Sequence, residues 1–446
     1  MKSDLPKVSH LAAGRPLIDH VIRSAASLEP TSTVVVVGHG ADEVRAILPD
    51  GVIDALQEDQ LGTGHAAQIG LDALGAADPE DIVIVLYGDT PLLTPQLLDQ
   101  LADLGEESAR LISAHLDDPS GYGRVTRDDQ GHITGIVEHR DCTPAQLEIS
   151  EINAGIYAVR AGRLVHALKQ VTNHNAQGEY YLTDVVGILV AEGDTLTAVT
   201  ASSEEVMGIN SQDQLAEARK ELRRRVNHEL MDSGVEIIDP DHTYIDETVT
   251  VEPGARIYPG TYLEGSTTVG AGSQVGPDVF AIDSTIGENA TVWYAVLRSS
   301  EVGEECVVGP YASLRPGSVL QKGSKVGTFV ETKNTTLGEG AKAPHQSYLG
   351  DATVGPRANI GAGVITVNYD GVKKSKTEIG EDAFVGSDTM LVAPVKIGDR
   401  ATTGAGSVIT KDVSDDALAI ERSDQKEIPG YSRRREARKA AEDAED

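Results

Sequence analysis

The chain has 446 residues, more than one compact core usually holds, so its length predicts two domains or one domain plus a repeat array. A formal net charge of −32 would repel phosphate backbones and anionic lipids, which argues against a general nucleic-acid or membrane-surface binder. An anionic ligand must then be held by a few local cations or a metal ion. Cys142 and Cys306 are too few and too far apart for a disulfide framework or a zinc site, and predict free thiols. Because it shows no apolar run of membrane-spanning length and no signal peptide, the sequence predicts a cytoplasmic protein.

The first half of the chain alternates strand-like and helix-like segments. The runs at 33–40 and 81–89 are continuous and rich in Val and Ile, as expected of strands buried on both faces of a parallel sheet. Residues 17–25 and 94–105 carry apolar positions at helical spacing. The alternation predicts an α/β domain, Rossmann-like, with a mostly parallel sheet.

A long amphipathic segment separates the two halves of the sequence. Between 211 and 234, apolar residues recur at spacings of three or four, Ser211 can cap, and acids give way to arginines toward the carboxyl end. This pattern predicts a helix, and on pattern alone a linker and a last helix of the first domain are equally good interpretations. We expect the following division: a first domain at 1–210, a linker helix at 211–234, a second domain at 235–425 and a charged tail at 426–446.

Beyond this helix the sequence takes on a period of six residues, and several aliphatic positions are followed by glycine, as in Val269-Gly270. A hexapeptide period indicates a parallel β-helix, in which each aliphatic residue points into the core. A glycine-rich loop region would have no reason to keep such a period. The coils of a β-helix stack on their neighbours and leave flat sides for self-association. The periodic residues are Val251, Ile257, Leu263, Val269 and Val275, and further on Ile379, Val385, Leu391, Ile397 and Ile409.

Polar residues concentrate where the repeat is interrupted. The stretch TVNYDGVKKSKTE at 366–378 breaks the six-residue count, carries three lysines and lies just beyond AKAPHQSYLGD at 341–351. A loop that leaves a rigid β-helix can cover a neighbouring groove. Each polar residue alone is weak evidence, but several on nearby coils could converge on one edge, namely Arg315, Lys333, His345, Tyr348 and Asn359.

Motifs along nearly the whole chain resemble one enzyme family. The second half is similar to the left-handed β-helix acyltransferases, and the whole chain resembles the bifunctional enzymes that join N-acetylglucosamine-1-phosphate uridylyltransferase to glucosamine-1-phosphate N-acetyltransferase. The resemblance implies synthesis of UDP-N-acetylglucosamine for cell-wall precursors from glucosamine-1-phosphate, acetyl-CoA and UTP. It also implies Mg²⁺, a homotrimer, and no nucleic-acid or membrane partner. The landmarks are DLPKV, QEDQLGTGHA, LYGDTPLL, LDDPSGYGRV, GIVEHRD, EINAGIY, NHNAQGEYYLTD, YASLRPG, VETKN, PHQSYLGDA, NIGAG, VNYDG and VGSDTMLVAPV.

Acetyl transfer to a sugar amine requires the uncharged amine, so a base is needed, and His is the usual candidate near neutral pH. The resemblance implies that His345 is this base and that Glu331 orients the polar network around it. Gln346 departs from the family, where an aliphatic residue is common, but leaves the His-x-x-Tyr spacing intact. The other implied contacts are Arg315 and Lys333 for the sugar phosphate, Tyr348 and Asn359 for sugar hydroxyls, the backbone at Ala362 for the oxyanion, and Asn368, Tyr369, Ser387, Ala405 and Arg422 for acetyl-CoA.

Uridylyl transfer joins two anions, so its chemistry requires a divalent metal to neutralise charge. Asp89 stands at the carboxyl end of a buried strand, where α/β sheets place their ligands, and the resemblance pairs it with Asn210 for Mg²⁺. The implied substrate contacts are Gln57, Gly62 and Thr63 for uracil, Gly123, Glu138 and Asn153 for the amino sugar, Lys7 for phosphate, and Asn210.

The opening stretch MKSDLPKVSH departs from the family. Family members carry L-A-A-G-x-G-T-R-M before this segment, and Met1 falls at the last Met of that motif. The LAAG at 11–14 is no substitute because it follows Pro6-Lys7 and lacks the second glycine and the threonine. We expect the natural polypeptide to begin upstream with a central strand and a phosphate-binding loop. An in-frame stop codon and no such loop would leave only the acetyltransferase.

The sequence is also compatible with two other functions. One is an acetyltransferase with an inactive first domain, which only an assay separates from the bifunctional enzyme. The other is a sugar-nucleotide pyrophosphorylase whose β-helix is structural. The His-x-x-Tyr segment and the lysine-bearing insertion argue against the latter, since a structural β-helix would need neither.

Overall fold

The structure is a computed structural model that describes residues 1–75 and 77–443, and the chain divides into two compact units. The first unit comprises Met1–Glu229 and Ile245–Thr248, and the second Leu230–Tyr244 and Val249–Asp446. None of the helices in the described residues combines the length and the apolar character that crossing a membrane requires.

The first unit is an α/β fold, as the alternating pattern predicts. Short 3-10 helices lie at Lys7–Ser9 and His139–Asp141. The helices are α1 Leu17–Ala26, α2 Ala41–Arg45, α3 Thr63–Leu74, α4 Pro95–Ala102, α5 Pro144–Leu147, α6 Ala161–Leu168, α7 Asp184–Ala191 and α8 Gln212–Asp232. The strands are β1 Leu11–Ala12, β2 Arg15–Pro16, β3 Val34–Val37, β4 Ile53–Leu56, β5 Ile82–Val85, β6 Ala109–His115, β7 Arg124–Arg127, β8 Ile133–Val137, β9 Glu151–Arg160 and β10 Leu196–Thr200.

Strand β9 organises the main sheet of the first unit. It pairs in antiparallel fashion with β5, β6 and β7, while β6 pairs in parallel with β10. Strands β5, β6 and β10 therefore run in one direction, and β8 joins the sheet by pairing with β7. Strands β3 and β4 form a parallel pair of their own. Asp89 follows β5 at its carboxyl end, which is the edge where the sequence predicts a ligand site.

Two predicted helices show how local sequence sets the fold of this unit. Helix α4 begins where Thr94 Oγ1 accepts the Leu97 N–H at 3.3 Å, and Pro95 occupies its first turn. Helix α8 lies within the segment predicted to link the domains. Its Leu215, Ala218 and Leu222 are buried in a cluster that also contains Leu17 and Leu92 of the first unit. The amino-terminal turns of α8 are thus part of the first unit's core.

The second unit is a parallel β-helix built from short strands in two long sheets, with a 3-10 helix at Pro240–His242 and an exposed helix, α9, at Tyr431–Glu442. One sheet contains Glu236–Ile237, Arg256–Ile257, Gln274–Val275, Thr291–Val292, Val307–Val308, Lys325–Thr328, Lys342–His345, Asn359–Ile360, Phe384–Val385, Thr402–Thr403 and Leu418–Ala419. The other contains Thr243–Ile245, Thr250–Val251, Thr261–Glu264, Thr268–Val269, Phe280–Ile282, Thr285–Ile286, Ala295–Arg298, Glu301–Val302, Ala312–Leu314, Val319–Leu320, Glu331–Leu337, Tyr348–Val354, Ile365–Val367, Thr377–Ile379, Met390–Val392, Val395–Ile397 and Val408–Ile409.

The six-residue period corresponds to the sides of the coils. Ile257 pairs with Val275, three hexapeptides further along, so one coil takes three repeats. All the periodic aliphatic residues named from the sequence are buried. Ile360 pairs with Val385, which is further away in sequence because the stretch 366–378 contains the predicted interruption. The hexapeptide prediction is confirmed.

The glycines of the repeat are required by close stacking of the coils. A Cβ at Gly270 would lie 2.7 Å from the backbone nitrogen of Glu288 in the next coil, and Gly270 itself does not use the left-handed region. The corners are instead turned by residues such as Asp283 and Asn289, with φ of 48° and 56°. Asn and Asp tolerate this conformation because their short side chains can hydrogen-bond locally.

Candidate active sites

A carboxylate and an amide oxygen converge on one cation in the first unit. Lys7 Nζ donates to Asp89 Oδ2 and, at 2.9 Å, to Asn210 Oδ1. The Ile209 N–H donates to the Asp89 carbonyl at 2.9 Å, which ties the two segments together. The structure therefore brings together three residues that lie far apart in sequence.

The chemistry of this donor set suits Mg²⁺, which usually takes one or two protein oxygens and completes its shell with water and phosphate. Within the described residues, no group of three or more His, Cys, Asp or Glu side chains is arranged to hold a metal. A metal at Asp89 and Asn210 would thus rely on water and phosphate for its other ligands. The Lys7 ammonium lies between the two oxygens and would have to release them to admit a divalent cation.

The residues predicted to contact the amino sugar also lie together. The Asn153 N–H donates to the Gly123 carbonyl at 2.9 Å. A Cβ at Gly123 would lie 3.0 Å from Ile136 Cγ2 and 3.6 Å from the carboxylate oxygens of Glu138, so Gly123 directly adjoins that carboxylate. Burial raises the pKa of Glu138, and the Thr183 hydroxyl donates to its Oε1 at 3.1 Å.

Two tyrosines connect the sugar residues with the metal residues, and sequence reasoning missed both. Burial, followed by the carboxylates of Glu138 and Asp89, raises the pKa of Tyr87 to about 12, so its hydroxyl stays protonated. Burial and Asp89 also raise the pKa of Tyr122. The available signal was position, since Tyr87 stands two residues before Asp89 and Tyr122 directly precedes Gly123.

The backbone beneath Tyr87 tolerates only glycine. Gly155 has φ +76°, and a Cβ there would overlap the Tyr87 ring. We expect Gly155→Ala to lower the free energy of unfolding by about 2–5 kcal/mol, because left-handed backbone costs an alanine about 1–2 kcal/mol and overpacking adds about 1–3 kcal/mol. Gly178→Ala is the matched control, since Gly178 has φ +69° with open space around it, and should cost only about 1–2 kcal/mol. Urea unfolding measures both variants, and equal losses would contradict the steric argument.

The residues predicted to contact uracil surround the start of α3. Gln57 Nε2 donates to the Gly62 carbonyl at 3.2 Å, and Thr63 Oγ1 accepts the Leu182 N–H at 3.1 Å. Gly62 has φ +116°, and a Cβ there would lie 2.6 Å from the Tyr180 carbonyl oxygen, so no other residue fits. Gln57, Gly62 and Thr63 therefore form one local group.

In the second unit, Arg315 is fixed by a carboxylate. Its Nη1 donates to Glu331 Oε1 at 2.8 Å, and Glu331 raises the pKa of Arg315. Glu331 lies opposite Tyr348 on the next coil. Glu331 thus contacts Arg315 directly, and its predicted role in orienting the network around His345 stays a prediction.

His345 stands beside a corner of the β-helix. It ends the strand Lys342–His345, lies opposite Thr328, and its exposed imidazole forms no hydrogen bond within residues 1–75 and 77–443. Gln346, with φ 40°, then turns the chain, and Tyr348 begins a strand of the other sheet. The His-x-x-Tyr spacing therefore places its two ends on either side of one corner.

Two lysines and a carboxylate lie close together on neighbouring coils of the second unit. Lys333 Nζ lies 3.9 Å from Asp351 Oδ2, and the neighbouring Lys333 ammonium lowers the pKa of Lys374. Asn368 Nδ2 donates to Asp351 Oδ2 at 2.5 Å. Lys333 and Asn368, predicted for different substrates, are thus joined through one side chain.

The remaining predicted residues follow on later coils. The Ala405 carbonyl accepts from Arg422 Nη1 at 2.9 Å, so these two predicted acetyl-CoA contacts lie together. The Tyr369 hydroxyl is exposed and donates to the Gly371 carbonyl at 2.6 Å. The other placements are Asn359 opposite Phe384, Ala362 accepting the Asp388 N–H at 2.7 Å, and Ser387 accepting the Gly406 N–H at 2.8 Å.

Comparison with known proteins covers both units. Residues 1–171 match the family model of the MobA-like NTP transferase domain, and residues 376–411 match that of the bacterial transferase hexapeptide repeats. The bifunctional protein GlmU of Heliobacterium modesticaldum is 48% identical over 432 residues, covering 96% of this chain and 93% of that protein. GlmU of Streptomyces avermitilis is 46% identical over 454 residues, covering 100% of this chain and 94% of that protein. This chain belongs to the GlmU family.

Membership in the GlmU family confirms the resemblance predicted from the motifs and accounts for the order of the two units. An NTP transferase domain precedes hexapeptide repeats, in agreement with an α/β first unit and a left-handed β-helix in the second. The identity extends across both halves, so it bears on both groups of candidate residues.

In this GlmU chain, sequence reasoning also missed Lys374 and Asp351. Lys374 belongs to the lysine-bearing insertion, which carries three candidate lysines, and the pattern did not say which one faces Lys333. Asp351 was the last residue of a quoted motif, with no feature marking it out. Only the stacking of coils shows that it lies between Lys333 and Asn368, which the sequence predicts to contact different substrates.

Proposed function

We propose that the chain acetylates glucosamine-1-phosphate with acetyl-CoA and couples the resulting N-acetylglucosamine-1-phosphate to UTP, giving UDP-N-acetylglucosamine and pyrophosphate. The observation that carries the proposal is a set of cations on neighbouring coils of the second unit, the unit that also contains His345. The Arg315 N–H donates to the Thr332 carbonyl at 2.9 Å, so Arg315 lies on the coil next to Lys333, and Lys333 in turn lies beside Lys374. In a chain of net charge −32, a sugar phosphate is an anion that such a set would bind.

In the acetyl transfer, His345 accepts a proton from the sugar amine as the amine nitrogen attacks the thioester carbonyl carbon. The imidazole is exposed and has no hydrogen-bond partner among the described residues, which leaves a ring nitrogen available for this step. Negative charge then develops on the carbonyl oxygen, and backbone N–H groups at Ala362 would stabilise it. The Ala362 N–H donates to no backbone acceptor in the described part of the chain. When the carbon–sulfur bond breaks, coenzyme A leaves and takes up the proton.

In the uridylyl transfer, Asp89 and Asn210 would hold Mg²⁺, which neutralises the charge of the triphosphate. Lys7, released from these two oxygens, can bind phosphate. Gly123, Glu138 and Asn153 would position the amino sugar, and Gln57, Gly62 and Thr63 the uracil. A phosphate oxygen of the sugar phosphate then attacks the α-phosphorus of UTP, and pyrophosphate leaves.

The proposal extends to assembly and role. We infer a homotrimer from the flat faces of the β-helix, and a role in supplying cell-wall precursors. The hexapeptide repeats of the second unit support self-association.

Release of free thiol from acetyl-CoA tests the proposal most directly. The purified chain should release coenzyme A in proportion to added glucosamine-1-phosphate, and N-acetylglucosamine-1-phosphate should accumulate. Glucosamine without phosphate is the control substrate, and kcat/KM should fall by at least ~100-fold because the contacts to Arg315, Lys333 and Lys374 are lost. Equal use of both amines would contradict the assignment of these cations to phosphate.

A further inference from the structure

One buried carboxylate lies where the two proposed substrate groups of the second unit meet. Asp351 belongs to the strand Tyr348–Val354, occupies a corner with φ 49° and is 9% exposed. No substrate contact is predicted for it from the sequence. A buried carboxylate at such a position needs partners for both oxygens.

Both oxygens of Asp351 have partners, and the partners come from the two neighbouring coils. Asn334 Nδ2 donates to Oδ1 at 2.7 Å, and Asn368 Nδ2 donates to Oδ2 at 2.5 Å. Lys333 Nζ lies 3.9 Å from Oδ2. Burial raises the pKa of Asp351, but the two amide hydrogen bonds and the nearby Lys333 and Lys374 outweigh it, so the pKa lies below its usual value and the group is ionised at neutral pH.

Asn368 is one end of a closed loop. The Ser375 N–H donates to the Asn368 carbonyl at 2.9 Å, and Tyr369 forms a bridge with Lys374, so the loop 368–375 returns to its starting point. At its tip, Asp370 Oδ1 accepts the N–H groups of two following residues. Fixing the Asn368 side chain therefore fixes the base of this loop.

We propose that Asp351 is a positioning residue that holds Asn368, and with it the loop 368–375, in register with Lys333. The inference rests on the proposed function, because it takes Asn368 and Tyr369 as acetyl-CoA contacts and Lys333 and Lys374 as sugar-phosphate contacts. Asp351 itself touches neither substrate. It makes the two groups depend on one another, since movement of Asn368 would carry Lys374 away from Lys333.

The direction of the change in KM distinguishes a positioning role of Asp351 from a purely electrostatic role. A carboxylate that acted only through its charge would oppose a sugar phosphate, so its removal would lower the KM for that substrate. A positioning role predicts the opposite. We expect Asp351→Asn to raise the KM for both acetyl-CoA and glucosamine-1-phosphate by roughly 10-fold, because an amide offers one acceptor oxygen to the two NH₂ groups of Asn334 and Asn368 and has no charge to attract Lys333.

A double-mutant cycle tests whether Asp351 acts through Asn368. If it does, Asp351→Asn combined with Asn368→Ala should be no worse than the more damaging single variant, whereas additive losses would overturn the proposal. Asp283→Asn is the matched control. Asp283 occupies the same corner in an earlier coil with φ 48°, and its Oδ1 accepts from Ser266 N and Oγ at 3.0 and 3.1 Å, away from both proposed groups. It should leave both KM values unchanged.

Two further measurements keep the outcomes distinct. Hydrogen exchange at 368–375 should quicken in Asp351→Asn and stay unchanged in Asp283→Asn. If Asp351→Asn does not fold, Asn368→Asp, which sets two carboxylates against each other, should give the same rise in both KM values, and unchanged values would overturn the inference. The test of the proposed function, acetylation of glucosamine-1-phosphate by the unchanged protein, is run alongside. Absence of that activity would refute the proposed function, whereas activity with unchanged KM values in Asp351→Asn would refute only the positioning role.

Discussion

Replacing His345 by Ala is expected to reduce acetyl transfer to glucosamine-1-phosphate by ~10²- to 10⁴-fold, the range over which a positioned general base contributes. The amine must lose a proton as it attacks the thioester, and no other imidazole lies in the proposed group of polar residues. The loss should fall on kcat, because the phosphate contacts of Arg315 and Lys333 do not involve the ring. Thiol release under saturating substrate measures it.

The variant should still fold and assemble, because the His345 ring is exposed and makes no hydrogen bond in the described residues. Sedimentation and circular dichroism check this and at the same time test the proposed trimer, which a stable, fully active monomer would refute. His242→Ala is a suitable control, since it removes a largely exposed imidazole from the same unit. Added imidazole should partly restore turnover in His345→Ala only. Turnover close to that of the unchanged protein would refute the assignment of His345 as the base.

Local pattern predicted the elements of this chain well because their causes are local. Helix α4 follows from a capping threonine, a proline in the first turn and apolar spacing, all within 94–105. The β-helix follows from a six-residue period that recurs in its early and late coils, as in the pairs Ile257–Val275 and Leu391–Ile409. Even the interruption at 366–378 is visible, since a break in a regular count needs no knowledge of distant residues.

The contacts that build the candidate sites depend on distances that no local pattern contains. Lys7, Asp89 and Asn210 meet because the sheet topology brings their segments together, and the motif resemblance suggested their roles without suggesting that Lys7 would hold both oxygens. The overlap of a Gly155 side chain with the Tyr87 ring likewise depends on the pairing of β5 with β9.

The sequence also did not indicate which side chains pair with each other on neighbouring coils of the β-helix. Glu331 was predicted to orient the polar network around His345, and that role stays a prediction. The sequence did not indicate that its carboxylate binds Arg315, which stands two residues after Ser313, the residue opposite Glu331 on the neighbouring coil. Asp351 gains its partners by the same stacking. In a β-helix the period fixes which residues point inward, while the side-chain pairs outside the core depend on the length of each coil.

Removing the Asp89 carboxylate is expected to abolish Mg²⁺-dependent formation of UDP-N-acetylglucosamine while sparing acetyl transfer. In Asp89→Ala, only the Asn210 oxygen of the proposed pair remains, and one neutral amide cannot hold a divalent cation against water. Lys7 also loses its ion-pair partner and keeps only its hydrogen bond to Asn210. Its single positive charge could not replace the divalent metal.

Two readouts decide the Asp89 prediction. The affinity for Mn²⁺ in the presence of UTP, measured by electron paramagnetic resonance, should fall at least ~10-fold in Asp89→Ala. Pyrophosphate release should fall below detection. Asp99→Ala, which removes an exposed carboxylate from α4, should leave both unchanged. Acetyl transfer should be retained in both variants, because the residues proposed for it belong to the second unit. Parallel loss of both activities in Asp89→Ala would indicate unfolding or a wrong division of the two activities between the units, and retained pyrophosphate release would remove Asp89 from the metal site.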